Sequence, residues 1–128
     1  MKMTNDPFVA RLSRIQSRAQ ADPEGALAEL QEIVDEGIES VEAWILKASI
    51  HFESNDYQLA AEAFAKVLKR KPKSGIASVG RFHSLWSSGE QNAAFEEMKR
   101  YFREVGIASK SATALDYRAI VREINGDT

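Results

Sequence analysis

The sequence contains no cysteine, two histidines and three prolines among its 128 residues. The absence of cysteine excludes disulfides, thiolate metal sites and cysteine nucleophiles, and it fits a reducing compartment. The longest apolar runs span only a few residues, and Met1 to Asp6 precede no apolar core of the kind found in a signal peptide. We therefore expect neither a membrane span nor a leader, and we predict a cytoplasmic protein.

The sequence also has no excess of basic residues. The formal net charge is −2 and the pI is about 5.7, which argues against a nucleic-acid binder. The charges are nevertheless segregated, because residues 22–62 hold eleven acids and one lysine, whereas residues 63–89 hold six bases and no acid. Such a separation indicates either solvated helix faces or a charged contact surface.

Catalytic and cofactor-binding motifs are absent as well. The sequence has no GxGxxG, GxxxxGK[ST], GxSxG or HExxH string. Adjacent acids such as Glu96 and Glu97 point about 100° apart on a helix, so solvated faces explain them better than shared chemistry. His51 and His83 have no further ligand set at a spacing that suits a metal. We therefore predict a non-enzymatic protein with no cofactor and no metal.

What the sequence does contain is a repeat with a period of 34 residues. Three segments that start at Asp22, Asp56 and Glu90 align without a gap. Each has an alanine four residues after its start and a large apolar residue four residues later. The alanines are Ala26, Ala60 and Ala94, and the large residues are Leu30, Phe64 and Met98. Periods of this length indicate a stack of supersecondary units.

Each repeated segment is typical of an amphipathic helix that follows a turn. Asp22 and Asp56 are suitable N-caps, Glu90 is a weaker one, and Pro23 suits the first helical position. Further amphipathic stretches cover residues 8–19, 41–54, 76–88 and 111–125, and no stretch alternates with period two. The sequence therefore predicts an all-α fold. The last stretch, with Leu115, Ile120, Val121 and Ile124, should cover the final apolar face and keep a polar outer side.

The middle copy resembles the tetratricopeptide repeat. The residues that carry the resemblance are Trp44, Ala48, Asp56, Tyr57, Ala60, Phe64 and Pro72. Lys47 and His51 depart from the family pattern, which usually has leucine and tyrosine there. The resemblance implies one domain over residues 1–128, a right-handed α-solenoid of three antiparallel helix pairs plus one terminal helix. The repeats would cover about 7–40, 41–74 and 75–108, and the capping helix about 111–125.

Two registers are open for the first helices of the outer copies. Phe8 lies 18 residues before Ala26, whereas Trp44 lies 16 residues before Ala60, so the turn in the first copy could be longer. In the third copy, a register with two extra turn residues competes with the ungapped one, which buries Phe82 and Leu85. We favour the ungapped register.

The resemblance also implies where a partner would bind, because first helices line a concave surface in the family. Carried onto this sequence, the groove residues are Arg11, Ile45, Ser49, Phe52, Ile76, Val79, His83, Trp86 and Tyr117. Tyr117 would close the groove from the last helix. Phe52, Val79 and Trp86 are the expected solvent-exposed anchors for an apolar partner segment.

The sequence is compatible with two functions. One is an adaptor or chaperone-like module that holds a peptide or helix of a protein partner in the groove. The alternative is a self-associating structural module that joins its acidic 22–62 face to the basic 63–89 face of another copy, which would make a homo-oligomer. A groove for peptide carboxylates would need inward-facing basic residues. Because only Arg11, Lys47 and Arg81 are candidates, we do not favour that ligand class.

Overall fold

The computed structural model describes residues 6–126. Residues 1–5, on which the argument against a leader depends, lie outside that range. The described chain forms helices and turns, with no strand between residues 6 and 126. The helices are α1 (Pro7–Ala19), α2 (Pro23–Asp35), α3 (Val41–Glu53), α4 (Tyr57–Arg70), α5 (Gly75–Ser87), α6 (Gln91–Val105) and α7 (Ala112–Ile124).

The helices pack in chain order into an all-α, solenoid-like stack, as predicted. Most consecutive helices contact each other, and α1 also contacts α3, as α5 contacts α7. The turns within the three helix pairs each contain three residues, 20–22, 54–56 and 88–90. The longer turn considered for the first copy is therefore not formed, and α5 follows the ungapped register.

Side-chain capping fixes most helix starts. The Asp22 carboxylate accepts a hydrogen bond from Gly25 N at 2.9 Å, with Pro23 at the first helical position. Asp56 occupies the N-cap position of α4, as expected, but its side chain makes no capping hydrogen bond. Its carboxylate lies instead 3.9 Å from His51 Nδ1. Asp6 caps α1, and serine hydroxyls cap α3, α5 and α7 at Ser40, Ser74 and Ser111.

The repeated alanines lie where paired helices touch. Ala26, Ala60 and Ala94 are all fully buried, which fits the need for a small side chain at a close helix contact. Phe64 packs against the next helix at Gly80, where an added Cβ would lie 2.4 Å from the phenyl ring. The absent side chain of Gly80 therefore makes room for Phe64.

The third helix pair contains an aromatic core. Phe82 and Leu85 are buried there, as the ungapped register predicts. The Phe82 ring lies 5.9 Å from Trp86 and 5.5 Å from Tyr117, between ring centroids. Tyr117 therefore joins α7 to the core of the third pair, and edge-to-face contacts of this kind add to the burial of apolar area.

The last helix covers this core only in part. Ala114 and Tyr117 are buried, but Leu115, Val121 and Ile124 are 54%, 37% and 46% exposed. Val121 lines a cavity with Phe102 of α6, and Ile124 lines one with Trp86 of α5, so these two face the last pair as expected, whereas Leu115 does not. Because α7 leaves Leu115 open and Val121 and Ile124 partly open, apolar surface remains at this end of the stack.

Candidate protein-binding groove

Three cavities follow one another along the first helices. The cavity between α1 and α3 has a volume of about 360 Å³, the one between α3 and α5 about 230 Å³, and the one between α5 and α7 about 270 Å³. Each is open to solvent, and most of its lining surface is apolar. All three lie between neighbouring first helices or between α5 and the last helix, which occupies the corresponding position in the stack.

Two residues join these cavities. Ser49 on α3 lines both the first and the second cavity, and His83 on α5 lines both the second and the third. The three cavities therefore follow one another with a shared lining residue between neighbours, and we call this row of cavities the first-helix groove. Its principal lining residues are Leu12, Glu42, Ile45, Ser49, Phe52, Glu53, Phe64, His83, Trp86, Ile120 and Glu123.

The expected groove residues divide into two groups. Five line the cavities, namely Ile45, Ser49, Phe52, His83 and Trp86. Four do not, namely Arg11, Ile76, Val79 and Tyr117. Ile76 is 69% exposed in the first turn of α5 and stands apart from the three cavities.

Arg11 is held by acids on the neighbouring helix. Its two terminal guanidinium nitrogens donate to the two carboxylate oxygens of Glu36, each at 3.0 Å. The hydrogen bonds raise the pKa of Arg11 and lower the pKa of Glu36 from their ordinary values. This bidentate pair directs the guanidinium toward α2, so Arg11 is not a free groove cation.

The expected apolar anchors are not fully exposed. Trp86 is half-buried, stacked on Phe82 and 5.7 Å from Phe95 between ring centroids. Val79 is half-buried and packs against the same core. Phe52 is also half-buried, with its ring edge-on to Tyr57 at 5.2 Å. The expectation of a freely solvated apolar stripe was therefore wrong, because Phe52 and Trp86 are half-buried in the lining of the groove and Val79 packs against the core.

Tyr117 does not close the groove, which corrects another expectation. Its side chain is fully buried, and its hydroxyl lies 2.7 Å from Ser78 Oγ. Because the Ser78 hydroxyl donates to Glu97 Oε2 at 2.8 Å, the Tyr117 hydroxyl is the donor to Ser78. Burial raises the pKa of Tyr117, which keeps that proton in place.

Glu97 is the centre of this buried network, contrary to the expectation of a solvated face. Its side chain is buried, whereas that of its neighbour Glu96 is 67% exposed. Arg100 Nη2 donates to the Glu97 carboxylate at 2.7 Å and Arg81 Nη1 donates at 3.2 Å. The two arginines and Ser78 therefore compensate the buried charge. The i, i+3 spacing of Glu97 and Arg100 is the one sequence signal for this network.

The charged groups that line the groove are acidic. Each cavity has one glutamate in its lining: Glu42 in the first, Glu53 in the second and Glu123 in the third. No lysine or arginine belongs to the lining of these three cavities. Lys47 lies over the Trp44 ring, 4.7 Å from its centroid, and Arg81 is held by Glu97. The cations needed to grip a peptide carboxylate are therefore engaged elsewhere.

The two histidines have different surroundings. His51 is buried in α3, where burial, and then the charge of Lys47, lower its pKa from the ordinary value. His83 is exposed within the groove. Within residues 6–126, no three histidine, aspartate or glutamate side chains are grouped as a metal site requires. In the same range, no helix combines the length and apolar character needed to cross a bilayer.

Comparisons with protein-family models, curated proteins and solved structures found no match to this chain.

Proposed function

We propose that this chain is a cytoplasmic, tetratricopeptide-like interaction module that holds a peptide or helix of a protein partner in the first-helix groove. The observation that carries the proposal is the row of three cavities with mostly apolar surface, in which Ser49 and His83 each line two neighbouring cavities. A groove with an apolar floor and a few polar groups is the usual form of a helix or peptide site. The module acts as an adaptor or a chaperone-like holder and performs no chemistry of its own.

The binding energy would come from the half-buried side chains on the groove floor. Phe52 and Trp86 lie in different cavities and are already held by aromatic neighbours. Side chains fixed in this way lose little conformational freedom when a partner covers them, which favours affinity. Aromatic residues also dominate the energetics of protein interfaces.

The self-association alternative is less favoured because part of the segregated charge is neutralised within one chain. Glu39 in the acidic stretch forms an ion pair with Arg70 in the basic stretch. Arg18 pairs with both Asp22 and Glu29. These contacts reduce the charge that a second copy could meet. Light scattering at low and high salt tests this alternative, since association through opposite charges weakens as salt rises.

The proposal is tested by selecting random peptides against the protein from a display library and then blocking the groove. Ser49→Tyr places a bulky neutral side chain at the junction of two cavities. Gln58→Tyr makes the same change at an exposed position of α4 and is the matched control. We expect the selected peptides to bind the control like the unmodified protein and Ser49→Tyr at least about tenfold more weakly. Equal binding to both variants would contradict the proposal.

A further inference from the structure

The lining of the first-helix groove has a repeated composition. Every cavity combines several apolar side chains with a single glutamate, and the three glutamates are Glu42, Glu53 and Glu123. All three are exposed at the surface of the groove. Acidic groups therefore occur at intervals along its whole length instead of at one end.

These glutamates differ from many acids in the rest of the chain. Asp22 and Glu29 pair with Arg18, and Glu36 pairs with Arg11. Among the described residues, no ion pair is formed by any of the three groove glutamates. Their charge therefore remains available to a bound partner.

No lysine or arginine side chain lines any of the three cavities. Lys47 and Arg81 are engaged elsewhere. A groove with an acidic rim attracts a cationic segment and repels an anionic one. Its apolar floor requires that the same segment also carry large apolar side chains.

From this complementarity we infer that the partner segment is basic and apolar, with lysine or arginine side chains interspersed among large aliphatic or aromatic ones. This inference rests on the proposed groove function and specifies its ligand. The apolar side chains fill the three cavities, and the cations meet Glu42, Glu53 and Glu123 at the rim. Acidic peptides, including those that present a carboxyl terminus as their main anchor, are disfavoured by the same field.

The composition of the selected peptides provides the first test. We expect enriched peptides to carry a net positive charge and at least two large apolar residues, and we expect their binding to be lost in Ser49→Tyr. Enriched peptides that are lost in Ser49→Tyr but are neutral or acidic would overturn the inference and leave the proposed function standing. Peptides that bind Ser49→Tyr unchanged would overturn both.

Charge reversal provides the second test. The double variant Glu53→Lys with Glu123→Lys changes two rim positions, and Glu62→Lys with Glu104→Lys makes the same change in net charge on the exposed surfaces of α4 and α6. For a selected basic peptide, measured by fluorescence anisotropy in low salt, we expect about tenfold weaker binding to the rim variant and little change for the control. Equal weakening by both variants would contradict a specific role of the rim, because only the net charge would then matter.

Discussion

The hydroxyl of Tyr117 on α7 lies 2.7 Å from the hydroxyl of Ser78 on α5, and both side chains are fully buried. Ser78 occupies the position of Trp44 in the ungapped alignment of the repeats. Where the middle copy fills this space with an indole, the third copy has a small hydroxyl. The Tyr117 ring from the last helix packs beside it, and the Glu97 carboxylate accepts a hydrogen bond from the Ser78 hydroxyl. The last helix is thereby attached to the third pair through a polar network.

This network predicts a large difference between two neighbouring acids. Glu97→Ala removes the buried carboxylate and leaves Arg81 and Arg100 without their acceptor, so we expect a loss of about 3–5 kcal/mol in the free energy of unfolding. Glu96→Ala changes an exposed position and should stay within about 0.5 kcal/mol. Urea titration of both variants checks the prediction. Similar losses in the two variants would show that the Glu97 network does not stabilise the fold.

Trp86 is predicted to stabilise the fold as well as to line the groove. Because its ring stacks on Phe82 and is half-buried, we expect Trp86→Ser to lower the free energy of unfolding by about 2 kcal/mol. Ile76→Ser, at a strongly exposed position of the same helix, should cost less than about 0.5 kcal/mol. Thermal or urea unfolding measures both values. An unchanged stability of Trp86→Ser would mean that this ring is not held by the core.

The buried alanine of the middle pair predicts sensitivity to added volume. Ala60→Leu introduces a larger side chain at a fully buried helix contact and should cost about 1–3 kcal/mol. Ala28→Leu makes the same change at an exposed position of α2 and should have little effect. Differential scanning calorimetry of the two variants measures the difference. Equal melting temperatures would contradict the close contact at Ala60.

The burial of His51 predicts a dependence of stability on pH. The folded state has a lowered pKa for this histidine, whereas the unfolded chain titrates near the ordinary value of 6.5. Above that value both states are neutral. As the pH falls below it, the unfolded state takes up the proton first, so the free energy of unfolding falls until the pH passes the lowered pKa of the folded state.

The variant that tests this pH dependence is His51→Leu. Leucine suits the position, since Leu85 occupies the equivalent position of the third copy. Urea titrations at several pH values between 7.5 and 5 should show a flatter dependence in this variant. An exposed position without a titrating group gives the control, and Gln58→Leu should retain the slope of the unmodified protein. A slope that survives His51→Leu would assign the pH dependence to other groups.

The sequence was sufficient to predict the helical repeat but not the polar contacts between helices. Caps, alanines and apolar stripes act within one helix pair, so Asp22, Ala60 and Phe82 were correctly placed from local pattern. The sequence did not predict which of the neighbouring acids Glu96 and Glu97 is buried. The burial of Glu97 depends on Ser78 and Arg81, which lie on another helix.

The sequence likewise predicts only part of the groove. The helical register placed Ser49 and His83 on its lining, because the two residues occupy equivalent positions of successive repeats. Tyr117 was misplaced since no repeat position describes the last helix, whose orientation depends on the core that it meets. The wide apolar arc on α5 predicts an exposed Trp86, because such an arc does not distinguish the floor of the groove from the core.

The most direct test of groove binding is a titration of the isotope-labelled protein with a selected peptide, followed by the backbone amide signals in two-dimensional ¹⁵N NMR spectra. If the first-helix groove binds the peptide, the largest shifts should occur along the groove. They should map to Ser49 on α3, Gly80 and His83 on α5, and Ile120 on α7. Largest shifts on the second helices α2, α4 and α6, with the groove signals unchanged, would contradict the central claim.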